Sequence, residues 1–388
     1  MFIGHIVEEF FYGYGGLPSK QISDFSEVLM KKGFKFVIFT NKFHAKEGHN
    51  PPFLVKEFKW KFPLLLNPKL IKEINSLELD ILHVHMGSPK ALPFLRRFAI
   101  KYKRPFILSI YKRLLFSELL HDAKVRGNII SFIENPLYPN FLTKYFIGIP
   151  NLAQVIVPSY RMKRYFQRII PKVIVKRIPP GVNLEEWRPV INPEFKESLG
   201  LSSRILLYLG HGTTPRVRGL DTLGQAFILL KERFSELKLL FLLFPGFYGK
   251  DRLFVEKLRL RLGKYIKYIE GIVAHPENFV NISDIVVFPF KSSVGIPEYP
   301  LSMLEAMASG KVVITTNVGA LPEIVKHNIN GLVVEPNNPK NLANEIDKVL
   351  RDELFARKLG EEARRFVQRN FDLNELSKLM AKVYESVR

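Results

Sequence analysis

Short apolar runs recur along this chain at intervals that leave room for a helix between them. FIGHIV (2–7), FKFVIFT (34–40), DILHVH (80–85), PFILSI (105–110) and QVIVPS (154–159) are strand-sized, and helical spacing fills several of the gaps. Strands that are apolar on both faces and joined by helices build a parallel sheet, because helices must cover each face. RIPPGVNLEEWRP (177–189) interrupts the pattern with prolines, and then it restarts as RILLYLG, LKLLFLLF, YIKYIEGI, DIVVFPF, KVVITTN and GLVVEP. The chain is therefore expected to be α/β, with two Rossmann-like, doubly wound parallel sheets facing a cleft and a joint between 179 and 189. Its 388 residues also exceed what one hydrophobic core usually organises. In such sheets ligands bind beyond the carboxyl ends of the strands.

Composition closes off several chemistries. The absence of Cys removes disulfides, thiolate nucleophiles and Cys-ligated zinc. No apolar run approaches the roughly 20 residues that span a bilayer. The acids Glu8 and Glu9 make the start a poor export signal, so the expected location is cytoplasmic. The formal net charge of +21 is unevenly placed: 29 Lys+Arg stand against 12 Asp+Glu up to Asn183, and 29 against 25 beyond it. Basic clusters beside aromatic residues, such as KYKR (101–104), YKR (111–113) and RMKRYFQR (161–168), fit anionic lipid, a phosphorylated substrate or nucleic acid, and equally fit solvated faces. No helix-turn-helix, RNP or zinc pattern accompanies them, and nucleic acid is not an expected partner.

GIPEYPLSMLEAMASG (295–310) puts Glu298 in a Pro-rich loop and Glu305 inside a helix that begins near Ser302. The free N–H groups at that start, around Leu301 and Ser302, and the positive end of the helix dipole suit a diphosphate. Glu305, one turn in, is placed to accept hydrogen bonds from ribose hydroxyls. The other reading is a capping box, Ser302-x-x-Glu305, in which Glu305 only folds back on Ser302. GYGG (13–16) follows the first strand, where Gly15 and Gly16 let backbone amides approach a distal phosphate without obstruction. His83 and His85 alternate and so share one face at the carboxyl end of their strand. Spacing supplies them with no third ligand, and neither Asp-x-Asp nor His-Glu-x-x-His occurs.

The segment from DIVVFPF to NGLVVEP (284–336) resembles the nucleotide-sugar site of the retaining glycosyltransferases of family four, which have the GT-B architecture. The shared order is buried strand, Glu-containing loop, LEAMASG helix, strand, VGALPEIV turn and a final strand. Weaker matches at the double glycine, DILHVH, IPPGVN and RGLDTL extend the likeness over nearly the whole chain. The resemblance implies a hexosyltransferase acting on a nucleotide-diphosphate sugar, with retention at the anomeric carbon and with no metal or other cofactor. The donor would be held by a domain at 183–372 and the acceptor by a basic domain at 1–182, on which the segment 373–388 packs back.

The same resemblance implies a ribose contact for Glu305, a sugar or diphosphate contact for His85, and backbone contacts to the base around Val273. A departing nucleoside diphosphate accumulates negative charge, so cations are needed. In LGHGTTPRVRGLDTL (209–223), His211 stands near the family's Arg, and Arg218 stands where a Lys precedes Gly, with Arg216 as the second candidate. An Arg fork binds two oxygens where an ammonium offers a point charge. The Glu loop departs from the pattern: the family's first Glu falls at Pro297 and its glycine at Tyr299 or Pro300. Either Glu298 reaches the sugar from a shifted position or that contact is absent. A family His after the next strand is Tyr111 here, which with Lys112 is expected nearer the acceptor. The expected partners are a nucleotide sugar and a saccharide or lipid-linked acceptor, the latter drawing the chain to the inner face of a membrane. The alternative is a catalytically degenerate GT-B protein that uses the fold to bind a partner.

Overall fold

The computed structural model describes residues 1–12, 17–46, 48–59, 65, 67–86, 92–102, 104–111, 149–201, 203–210, 215–243, 250–293 and 296–388. They form two compact units. The first takes the described residues up to Gly181 together with Leu373–Arg388, and the second is Val182–Asp372.

The first unit is built on a seven-stranded sheet of β1 (Phe2–Tyr12), β2 (Lys35–Ala45), β3 (Leu54–Glu57), β4 (Ile81–Met86), β5 (Phe106–Ile110), β6 (Leu152–Val157) and β7 (Ile174–Arg177). Its strand order is β3-β2-β1-β4-β5-β6-β7, with all neighbours parallel. The second unit holds β8 (Ile205–Gly210), β9 (Lys238–Leu243), β10 (Ile266–Glu270), β11 (Ile285–Phe288), β12 (Val312–Thr316) and β13 (Leu332–Val334) in the order β10-β9-β8-β11-β12-β13, again parallel. The expected α/β class and doubly wound sheets are present. Each sheet starts near its centre and winds outward in both directions, so the order reverses between β1 and β4 and again between β8 and β11. In sheets of this kind a ligand binds beyond the carboxyl ends of the strands at such a reversal.

Two strands escaped the sequence reading, β3 (LVKE) and β7 (IVKR). Both are four-residue edge strands ending in charge, too short and too polar to stand out from loops.

Strand periodicity sorts the first sheet's side chains cleanly between two layers. Ile3 and Val7 of β1 pack with Ile22, Phe25 and Leu29 of the helix Ser19–Met30 and with Leu373, Leu376 and Met380 of the helix Leu373–Glu385. Ile6 faces the other way, with Val84, Leu108, Leu95 and Phe98. The C-terminal helix is thus part of the first unit's core. Where the chain comes back to it, the Val182 N–H donates to the Phe371 carbonyl at 2.8 Å. A Cβ added to Gly181 would lie 2.8 Å from the Leu373 Cα, which gives the glycine of IPPGVN a packing reason. Among the described residues no helix is long and apolar enough to cross a membrane.

Gly181→Ala should therefore destabilise the protein by about 1–3 kcal/mol, since backbone rather than a flexible side chain must move. Urea unfolding at neutral pH measures it, and an unchanged midpoint would show that the crossing tolerates a methyl group.

Candidate functional site

In the second unit Arg218, Glu298 and Glu305 lie on the segments that follow β8 and β11, the strands between which the order reverses. The turn Pro215–Arg218 leads into Gly219, the N-cap of the helix Leu220–Lys231. Gly219 has φ +70°, and a Cβ there would sit 1.7 Å from the Pro289 carbonyl oxygen, so only glycine lets the two loops touch. Arg218 is 8% exposed, with its guanidinium carbon 5.9 Å from the Phe290 ring, within cation–π range. Arg216 belongs to the same turn, but its side chain lies outside the described residues, as do His211, Gly15 and Gly16.

The chain then runs from β11 into the Glu loop. Tyr299 is fully buried, its hydroxyl donates to Glu323 and its ring meets Phe371 edge-on at 5.8 Å. That anchor occupies one of the two positions at which the family's glycine would fall. Glu298, immediately before it, is 7% exposed, and Glu305 is 8% exposed. Both carboxylates lie in a largely apolar wall, where a charged group is kept only with partners.

The helix Leu301–Ala308 begins at Leu301 with Pro300 as its N-cap, and no side chain caps it. Ser302 therefore lies inside the helix, and the capping box is not formed. The run LSMLEAMA is made of good helix formers. Arg364 pins the far end by donating to the Ala308 and Trp187 carbonyls. Leu301 and Ser302 are thus the first residues of a short helix held at both ends. Beyond β10, the Gly271 N–H continues the ladder to the Leu243 carbonyl at 2.9 Å, so Val273 follows directly on the carboxyl end of that strand, half-buried.

In the first unit His83 and His85 share one face of β4, as their alternation implies, and that face also holds a third histidine. His5 of β1 is in register with His83 of β4, and both project to the face covered by the C-terminal helix. His83 shares one hydrogen bond with the Tyr384 hydroxyl (2.9 Å) and another with Ser109 (2.7 Å). His85 pairs with Tyr111 (2.7 Å) and with His5 (2.7 Å). Both ring nitrogens of His85 are therefore engaged within the unit, and Tyr111 is buried against it rather than presented outward. The remaining nitrogen of His5, Nε2, is buried with no hydrogen-bond partner.

The sequence reading missed His5, because its relation to His83 exists only once β1 and β4 pair. One nitrogen from each of His5, His83 and His85 lies within 4.8 Å of the others. Imidazoles are suitable ligands for zinc, copper or nickel. Taking an ion would however break bonds to Ser109, Tyr111, Tyr384 or between His5 and His85, and would bury a dication in a group without a carboxylate. The arrangement is that of a buried hydrogen-bond network.

The chain matches two protein families, described as Glycosyl transferases group 1 over residues 192–366 and Glycosyltransferase Family 4 over residues 19–186. It is 30% identical over 248 residues to an uncharacterized glycosyltransferase of Methanocaldococcus jannaschii, a match that covers 60% of this chain and 60% of that relative. The chain thus spans about three fifths of the length of that curated relative. It is 25% identical over 268 residues to a GDP-mannose-dependent alpha-(1-6)-phosphatidylinositol monomannoside mannosyltransferase of Mycobacterium tuberculosis, covering 67% of this chain and 68% of the other. The crystal structure of Anabaena HepE in complex with UDP-glucose superposes with a TM-score of 0.75 at 17% identity, covering all of both chains.

Burial makes the first unit sensitive to acid. It pushes His5 down to about 3 and holds His83 and His85 well below the ordinary value of 6.5. The unfolded chain takes up these protons near pH 6.5 while the native state does not. Stability should therefore be level above pH 6.5 and fall as the pH drops toward 3. At pH 5, His5 alone accounts for a loss of about 2 kcal/mol. Urea unfolding of the wild type and His5→Phe at pH 7.5 and 5 checks this: the variant should lose less on acidification, and equal losses would contradict it.

Proposed function

Because the chain belongs to the GT-B glycosyltransferases, we propose that it is a retaining hexosyltransferase, moving a sugar from a nucleotide-diphosphate sugar to an acceptor hydroxyl. The observation that carries the reading is the set of groups on the segments that follow β8 and β11: Arg218 against the loop after β11, the buried Glu298 and Glu305, and a pinned helix whose first residues are Leu301 and Ser302. A cation and free helix amides at the end of parallel strands suit a diphosphate, and a carboxylate one turn into the helix suits a ribose.

In the proposed reaction the bond between the anomeric carbon and the diphosphate oxygen breaks as the acceptor oxygen bonds to that carbon on the same face. The acceptor's proton passes to a diphosphate oxygen. Arg218 and the helix amides stabilise the departing charge, and no side chain serves as nucleophile. The chain is proposed to do this without a metal or other cofactor.

The names of relatives support a nucleotide sugar and a saccharide or lipid acceptor: one is GDP-mannose-dependent with a phosphatidylinositol mannoside in its name, and one fold neighbour holds UDP-glucose. For the acceptor we propose a lipid-linked or anionic saccharide, met in the cytoplasm at a membrane surface. The helix Tyr160–Ile169 carries Arg161, Lys163, Arg164 and Arg168, with Tyr160 51% exposed; Ile174 of the edge strand β7 is 57% exposed. Basic residues beside exposed apolar ones fit an anionic headgroup region.

Of UDP, GDP and ADP, one should raise the melting temperature, by an amount equivalent to about 2.7 kcal/mol at a hundred times its Kd. Glu305→Ala and Arg218→Ala should each abolish that rise. Stabilisation by none of the three would instead favour a non-catalytic GT-B protein. Neutralising Arg161, Lys163 and Arg164 together should weaken sedimentation with anionic liposomes and leave nucleotide affinity alone; unchanged sedimentation would remove the membrane from the proposal.

A further inference from the structure

We propose that Lys291 is a positioning residue of the donor site, stapling the loop after β11 to the turn that carries Arg218 and so holding Arg218 at the diphosphate. The inference rests on the donor reading above and concerns a residue that no motif brought forward.

Lys291 acts at both of its ends. Its backbone N–H donates to the Val217 carbonyl at 2.7 Å, and its ammonium donates to Asp221 Oδ2 at 2.6 Å. Asp221 is fixed in turn, because its Oδ1 accepts from the Thr222 N–H at 3.0 Å in the first turn of the helix Leu220–Lys231. The two contacts flank Arg218 in sequence, one at the residue before it and one three residues after. Between them the Pro289 carbonyl lies against Gly219, and the Phe290 ring lies near the guanidinium.

The strap itself has little freedom. The Thr315 hydroxyl of β12 donates to the Phe288 carbonyl at 3.1 Å, and the Thr316 hydroxyl to that of Phe290 at 2.7 Å. Position is therefore passed from β12, through residues 288–291, to the turn that holds Arg218. The Lys291 side chain is 11% exposed while Asp221 is 47% exposed. A half-solvated ion pair of this kind contributes little to overall stability. What it can do is fix which way the turn lies, and a clamp loses binding when it is misplaced by a fraction of an ångström.

The test measures the affinities of UDP, GDP and ADP, with uridine, guanosine and adenosine as controls, by calorimetry on the full chain. The proteins are wild type, Lys291→Met, Asp221→Asn, Arg218→Ala and Lys291→Met/Arg218→Ala. Lys291→Met should weaken the preferred diphosphate about tenfold, leave the matching nucleoside unchanged, and add no further loss once Arg218 is Ala. Asp221→Asn should reproduce the effect, and it carries the test if Lys291→Met does not fold. Wild-type affinity in the folded Lys291 and Asp221 variants overturns the proposal. So does a multiplicative loss in the double variant, since Lys291 would then touch the phosphates itself, and so does equal loss for nucleoside and diphosphate. If wild type binds none of the diphosphates, the donor reading falls and this role falls with it, an outcome distinct from normal wild-type binding that ignores Lys291.

Discussion

A parallel sheet covered by helices on both faces leaves almost no room for polar side chains within it, and the rest of this protein follows from that constraint. Buried donors and acceptors cost free energy unless paired, so β8, β9 and β11 are nearly pure Leu, Ile, Val and Phe. Charged groups are displaced to the strand ends, and the doubly wound order decides which ends have space. In the second unit Arg218, Glu298 and Glu305 all follow from that displacement. Buried as they are, Arg218 stands on a turn, Glu298 on a loop and Glu305 on a helix, and the turn and loops are interlocked through Gly219, Pro289 and Tyr299.

The first unit contains the exception. His5, His83 and His85 lie within a buried face of the sheet, and the network makes them tolerable by giving five of their six ring nitrogens a partner. Burial also pushes the Tyr111 and Tyr384 phenols up, so both stay protonated donors or acceptors. Tyr384 comes from the C-terminal helix, some three hundred residues after His83. That helix therefore does more than cover apolar surface, because it also supplies one of the hydroxyls that keep a histidine neutral and bonded inside the core.

Much of this was legible in advance, and for a physical reason. Strands buried on both faces write themselves as uninterrupted apolar runs, which is why the two sheets and the joint near Gly181 could be read from the chain. The helix of LEAMASG was equally clear from its composition. Short edge strands such as β3 and β7 were not, because half their surface meets solvent and their residues look like loop. The Ser302-x-x-Glu305 pattern pointed to a cap that does not form, since the helix takes Pro300, two residues before Ser302, as its N-cap.

Residue order by itself determined the α/β class, the two repeated halves, the apolar strands and the local motifs, because each of these depends on neighbours within a few positions. Only the tertiary structure decided that His5 stands beside His83, that Tyr384 reaches it from the far end of the chain, and that Lys291 ties down the turn of Arg218. Those contacts join residues tens to hundreds of positions apart. Their partners are chosen by strand order and register, and no local spacing records either one.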